Sequence, residues 1–210
     1  VSVVDANLKS TANGGHVNSS TGADIIFYAD ADGVTQCPSD VEYYNPATGT
    51  LVAWVQVAVL YYDRPTYFWV RYGSASPPTR VGYPYDSDYL AAYHMADNAA
   101  STTVLDETTA AANATNVANT STKTATGQVD KALSYNGSSD ATTTPTLTPG
   151  GHQITLEFWM KWTTFADDDK IAFEWTSNYN GGGGFLVSPN SNSSGFALGT
   201  YDSVDAQYYL

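Results

Sequence analysis

Apolar and polar positions alternate most cleanly over residues 154–162. Ile154, Leu156, Phe158, Met160 and Trp162 fall on one side of an extended chain, and Thr155, Glu157, Trp159 and Lys161 on the other. A period of two marks a half-buried strand, because successive side chains leave a strand in opposite directions. Residues 51–60 are almost entirely apolar, rich in Val and bounded by turn formers, which predicts a strand buried on both faces rather than a helix. Shorter β-branched and aromatic runs predict strands at 24–28, 41–45, 67–72, 90–95, 132–137, 170–175, 184–187 and 195–200. Turn formers separate them: Ala29-Asp-Ala-Asp-Gly33, where a hairpin is expected, then Pro46-Ala-Thr-Gly49, the glycines at 181–184 and Ser188-Pro-Asn-Ser-Asn. Their recurrence at roughly ten-residue intervals predicts a β-sandwich.

Two stretches interrupt this rhythm. Residues 74–84 carry Ser and Gly together with Pro77, Pro78 and Pro84, a composition that resists regular structure and predicts a linker. That places an N-terminal module at 1–73 and a C-terminal module at 85–210. Residues 99–127 are rich in Ala, Thr and Asn with few large apolar side chains. The alanines would suit a helix, but Thr and Asn hydrogen-bond locally in competition with it, so an irregular surface loop is expected.

Composition narrows the function classes. Aromatic residues reach 13%, with 16 Tyr and 5 Trp, while charged residues are only 14%, a balance expected of a β-rich exterior protein. The net charge of −13, from 21 acidic against 8 basic residues, repels phosphates and argues against nucleic-acid binding. It suits solubility, divalent cations or neutral glycans. The single cysteine, Cys37, allows no disulfide within the chain, and no Cys/His spacing suits zinc. No run reaches the ~18 apolar residues of a membrane span, so no membrane insertion is expected, and no signal peptide is evident. The sequence starts at Val1 without Met, as expected of a processed chain or a fragment.

The succession Gly14-Gly-His16, Gly22-Ala-Asp-Ile-Ile-Phe27, Asp32-Gly33, Glu42-Tyr-Tyr-Asn45, Thr48-Gly-Thr-Leu-Val-Ala-Trp-Val55 and Arg71-Tyr-Gly73 resembles a domain of unknown function. That domain occurs in bacterial, archaeal and phage exterior proteins. Ala92-Tyr-His-Met95, Thr126-Gly-Gln-Val-Asp-Lys-Ala-Leu-Ser-Tyr-Asn-Gly137 and Ile154-Thr-Leu-Glu-Phe-Trp-Met-Lys-Trp162 are similar to the concanavalin A-like (laminin-G-like) jelly roll that typically follows it. The resemblance implies an all-β chain of two β-sandwich modules, the first lacking its usual opening strands and the second a jelly roll continuing past Leu210. Gln36-Cys-Pro-Ser-Asp40 and Leu60-Tyr-Tyr-Asp-Arg-Pro65 depart from the family pattern, where a polar turn and a Ser-rich loop are expected. A structural or adhesive protein of the extracellular or virion surface is implied, with a phage tail, fibre or capsid decoration as its setting. Other structural subunits of a larger assembly, or surface glycans, are the implied partners.

Candidate chemistry is sparse. A retaining glycosidase needs two carboxylates about 5–5.5 Å apart, which a strand presents at i and i+2, and no such run occurs. Glu157 and Glu174 read as solvated strand residues. Asp167, Asp168 and Asp169 are the candidate Ca²⁺ ligands, with an acidic hairpin loop as the plainer reading. Asp30 and Asp32 form a second acidic turn without the Glu that closes an EF-hand loop. Sugar binding needs aromatic platforms beside hydrogen-bonding groups, and Trp159, Trp175, Asn178 and Tyr179 are the candidates. Tyr201, Tyr208 and Tyr209 suit an interface equally well. His94 and Met95 are expected at packed or edge positions of a strand. No Gly-x-Ser-x-Gly elbow occurs, and the Asn-x-Ser/Thr triplets at Asn18, Asn113, Asn119, Asn136 and Asn192 are expected by chance in so Thr/Ser/Asn-rich a chain. The sequence therefore predicts a non-enzymatic structural or adhesive protein, with a carbohydrate-binding module as the alternative and a glycoside hydrolase as the remote third.

Overall fold

A computed structural model describes residues 1–149, 153–162, 172–175, 184–188, 197–201 and 207–209. The chain is all-β, and the described helices are short 3-10 turns. Two compact units divide at Ile154/Thr155.

In the first unit, β1 (Ser2–Val4), β4 (Thr50–Val55) and β3 (Ser39–Asn45) form one antiparallel sheet in that order, while β2 (Ile26–Tyr28) pairs with β5 (Trp69–Arg71). The β3–β4 hairpin follows from Asn45-Pro-Ala-Thr-Gly49. The Asn45 carboxamide oxygen accepts from the N–H groups of Ala47 and Thr48, and the Gly49 N–H bonds Asn45 O. Gly49 has φ +73°, and a Cβ there would lie 1.9 Å from Asp5 O. Between Val41 and Tyr43 the register shifts, so Glu42 is an extra residue in a β-bulge.

Alternation along β2 sends Phe27 inward, where it is fully buried with Leu8, Val17, Ile25, Cys37, Leu51 and Ala53. Phe68 and Val70 pack on this core from the β5 side, and the Phe27 and Phe68 rings lie 6.1 Å apart. The turn expected at 29–33 forms. Ala29 N–H bonds Thr35 O and Cys37 N–H bonds Phe27 O, although the longer ladder of β2 runs to β5.

The apolar run at 51–60 is strand only through Val55; Val59 and Leu60 are exposed. Apolar character alone does not extend a strand when no neighbour accepts its backbone bonds. Residues 74–84, expected as a linker, lie within the first unit without regular structure. Arg80 fastens them there, donating from Nε to Ile25 O (3.2 Å) and from a terminal nitrogen to Gly22 O (2.6 Å).

The largest correction concerns residues 99–127, expected as an irregular surface loop. They hold β6 (Thr103–Val104), β7 (Ala114–Asn116) and β8 (Thr124–Thr126). β7 sits between β6 and β10 (Thr142–Thr143), and β8 pairs with β9 (Lys131–Leu133). Val104, Ala114 and Leu133 form a small core with Tyr93 and Met95 packed on it. The fully buried Thr120 is bonded: its Oγ1 donates to Ala99 O at 2.7 Å while its backbone N–H bonds Ser101 O.

Among the described residues the strand expected at 90–95 is absent from the ladders, as is the one at 154–162. Ile154, Leu156, Phe158 and Met160 are 36–45% exposed, so the period of two is present in the sequence without a paired neighbour among the described residues. In the second unit β11 (Phe173–Trp175), β12 (Gly184–Ser188), β13 (Ala197–Tyr201) and β14 (Gln207–Tyr209) form an antiparallel sheet in sequence order.

Candidate functional site

The two tryptophan candidates differ in setting. Trp159 is 75% exposed and outside any strand, whereas Trp175 is half-buried on β11 opposite Phe185. Glu157 and Glu174 are exposed. Asn178 and Tyr179, and the proposed Ca²⁺ ligands Asp167, Asp168 and Asp169, lie outside the described residues. Asp30 uses its carboxylate to close a turn, accepting from Val34 N–H (2.9 Å) and Thr35 N–H (2.6 Å), and these bonds hold its pKa below the ordinary value. Among the described residues no group of three or more His, Cys, Asp or Glu side chains is arranged to hold a metal ion.

The structure gathers titratable groups around His94 instead. Its Nε2 lies 2.8 Å from Asp40 Oδ2 and 3.2 Å from Tyr85 Oη, and Nδ1 lies 3.6 Å from Glu42 Oε2. The imidazole stacks on Trp54 at 5.6 Å with 10° between the planes, and Trp54 Nε1 donates to Glu42 Oε2 at 2.7 Å. Strand alternation and the bulge explain the convergence. Asp40 is the cross-strand partner of Trp54, which puts both on one face of the sheet, and the extra residue at the bulge re-aims Glu42. Asp97, Leu105 and Glu107 face them across a cleft of about 200 Å³.

Burial sets the electrostatics. It pushes the Glu42 carboxyl above its ordinary pKa despite the Trp54 N–H and His94, and it does the same to Glu107 with Asp40 adding repulsion. Burial alone would lower the His94 pKa, but the bond to Asp40 and the charges of Glu42, Asp40 and Glu107 outweigh it and raise the value. Burial also raises Tyr85 strongly. A protonated imidazole donating to Asp40 is therefore the arrangement this cluster favours. It clasps residues 85–107 onto the β3–β4 hairpin.

Two further carboxylates are staples of the same kind. Burial opposes ionisation of Asp24, yet backbone N–H groups of Asn18, Ser19 and Gly73 hold its pKa down. At Asp106 burial is likewise outweighed, by the N–H groups of Ala92, Thr108 and Ala112 and the Thr108 hydroxyl.

Sequence reasoning placed His94 at a packed position without finding its acidic partners, Asp40 and Glu42, which lie more than 50 residues away in the chain. Comparison with protein-family models, with curated proteins and with solved structures finds no match to this chain.

Proposed function

We propose that this chain is a non-catalytic structural or adhesive protein of an exterior surface, with a phage virion as its setting. The observation that carries the reading is how the chain uses its titratable groups. His94, Asp40, Glu42, Asp24 and Asp106 are engaged with one another or with backbone N–H groups, which serves cohesion rather than turnover. The acidic surface and the exposed Leu60, Tyr62 and Tyr67 suit contact with neighbouring subunits. Gold-labelled antibody against the chain should decorate purified virions in the electron microscope; absence of label from every particle would remove the virion setting.

A second reading, a carbohydrate-binding module, is supported by the 75% exposure of Trp159. A glycan array run with and without Ca²⁺ tests it. Saturable binding abolished by Trp159→Ala or Trp175→Ala supports that reading, and no binding under either condition counts against it.

A further inference from the structure

The outer face of the β2–β5 pair holds a pocket that none of the sequence candidates includes. Ile26 stands opposite Arg71 and Tyr28 opposite Trp69, so these four side chains leave the ladder on the side away from Phe27 and the core. Residues 73–80 run back over this face and leave a cavity of about 330 Å³, at the lower end of the range for small-ligand pockets. Tyr28, Arg71, Tyr72, Ser74, Pro77 and Pro78 line it, with Asp24 at its base.

The walls are fixed before any ligand arrives. Gly73 N–H bonds the Asp24 carboxylate at 2.8 Å and Gly73 O accepts from Asn18 Nδ2 at 2.7 Å, so the start of the covering segment is tied at both backbone groups. Arg80 ties its far end to Ile25 and Gly22. Arg71 is also preset. Its guanidinium carbon lies 5.5 Å from the Tyr28 ring centroid, and one terminal nitrogen donates to Ala31 O at 2.8 Å. Gly33 lies against the guanidinium so closely that a Cβ there would sit 2.3 Å from its carbon. Among the described residues Arg71 makes no ion pair, and most of its five N–H groups remain for a ligand.

An anion is a poor match. The chain carries −13, and Asp24 at the base is held ionised by backbone N–H groups, so its charge offsets that of Arg71. The Arg71 donors and the Ser74 hydroxyl beside a part-exposed tyrosine suit a neutral, hydroxyl-rich ring. Such a ring can lay its C–H face on the aromatic and turn its hydroxyls toward the fixed polar groups.

We propose that this pocket is a subsite for a neutral sugar unit, with Tyr72 as stacking platform and Arg71 and Ser74 as hydroxyl partners. The proposal rests on the adhesive reading above and names its ligand class.

The test is saturation-transfer NMR and amide-shift titration of the full chain with the methyl glycosides of glucose, galactose, mannose and N-acetylglucosamine, with methyl glucuronide as the acidic arm. At least one neutral glycoside should bind in the millimolar range and shift the Gly73 and Ser74 amides. Tyr72→Ala should weaken it about tenfold or more, Arg71→Gln should do likewise, and Val117→Ala, at an exposed position outside the pocket lining, should leave it unchanged. Thermal melting of each variant separates lost binding from lost folding. If Arg71→Gln does not fold, the Tyr72→Ala affinity and the wild-type amide shifts decide the question. No neutral binding, binding of the glucuronide alone, binding that survives Tyr72→Ala, or shifts confined elsewhere would each overturn the proposal. Labelled virions carrying a chain that binds no sugar would overturn this inference and leave the structural role standing; a sugar-binding chain absent from virions would do the reverse.

Discussion

Replacing His94 by Gln tests the clasp between residues 85–107 and the β3–β4 hairpin. The change keeps a donor for Asp40 but removes the charge and the ring stacked on Trp54. A charge-assisted hydrogen bond contributes about 1.5–3 kcal/mol, and the ring contact about 0.5–1 kcal/mol more. Since Gln retains part of the first, a loss of about 2 kcal/mol is expected at pH 6. The folded chain holds the His94 pKa above its ordinary value. Its contribution is therefore complete below the unfolded pKa of about 6.5 and is lost as pH rises through the folded value, at no more than about 1.4 kcal/mol per pH unit for one proton. Glu42 and Glu107 act in the same sense, because their raised values favour the fold on the acid side and that contribution fades as pH climbs past their ordinary 4.5. Urea unfolding between pH 5 and 8.5 should show the wild type losing stability above neutrality more steeply than His94→Gln. Proton NMR of the three imidazoles should show the signal missing from the variant titrating above about 6.5. Parallel stability profiles across that range, or a His94 midpoint below 6.5, would refute the reasoning.

Asp106→Ala strips the acceptor from three backbone N–H groups and a hydroxyl, and should cost about 3 kcal/mol in chemical denaturation. Asp24 and Asp106 have lowered pKa values, so their contributions are present above the ordinary 3.8 and lost as pH falls through the folded values; Asp24→Asn should flatten the acid limb of the stability profile. Phe27→Ala opens a cavity at the fully buried centre of the first core and should cost about 3–5 kcal/mol by thermal or urea unfolding. Gly49→Ala drives a Cβ into Asp5 O at a positive φ and should lower the melting temperature, whereas Gly14→Ala, with open space around it, should lower it less.

Local pattern was enough to find β2, β3, β4 and β5, because β-branched and aromatic runs between Asp, Asn, Pro and Gly turns carry their own signal. Residues 99–127 hid their order for a physical reason. Their core needs only Val104 and Ala114 with Leu133, and the polar residues buried beside it are stabilised by bonds to backbone atoms, such as Thr120 to Ala99, that no periodicity announces. The clasp was illegible for another reason. Glu42 reaches the cleft through a bulge set by interstrand register, and His94 meets Asp40 across 54 positions of sequence. Residues 154–162 show the converse case, a clean period of two that no ladder uses among the described residues. Alternation states which face a strand would bury, while a ladder also requires a partner edge.

The role proposed for this chain is to build or anchor an exterior assembly. Its most direct test is the copy number of the chain in purified virions, counted by mass spectrometry against isotope-labelled peptides. A fixed number of copies per particle, reproducible between preparations, is the predicted result; a chain absent from particles, or present at a variable trace level, would contradict the account.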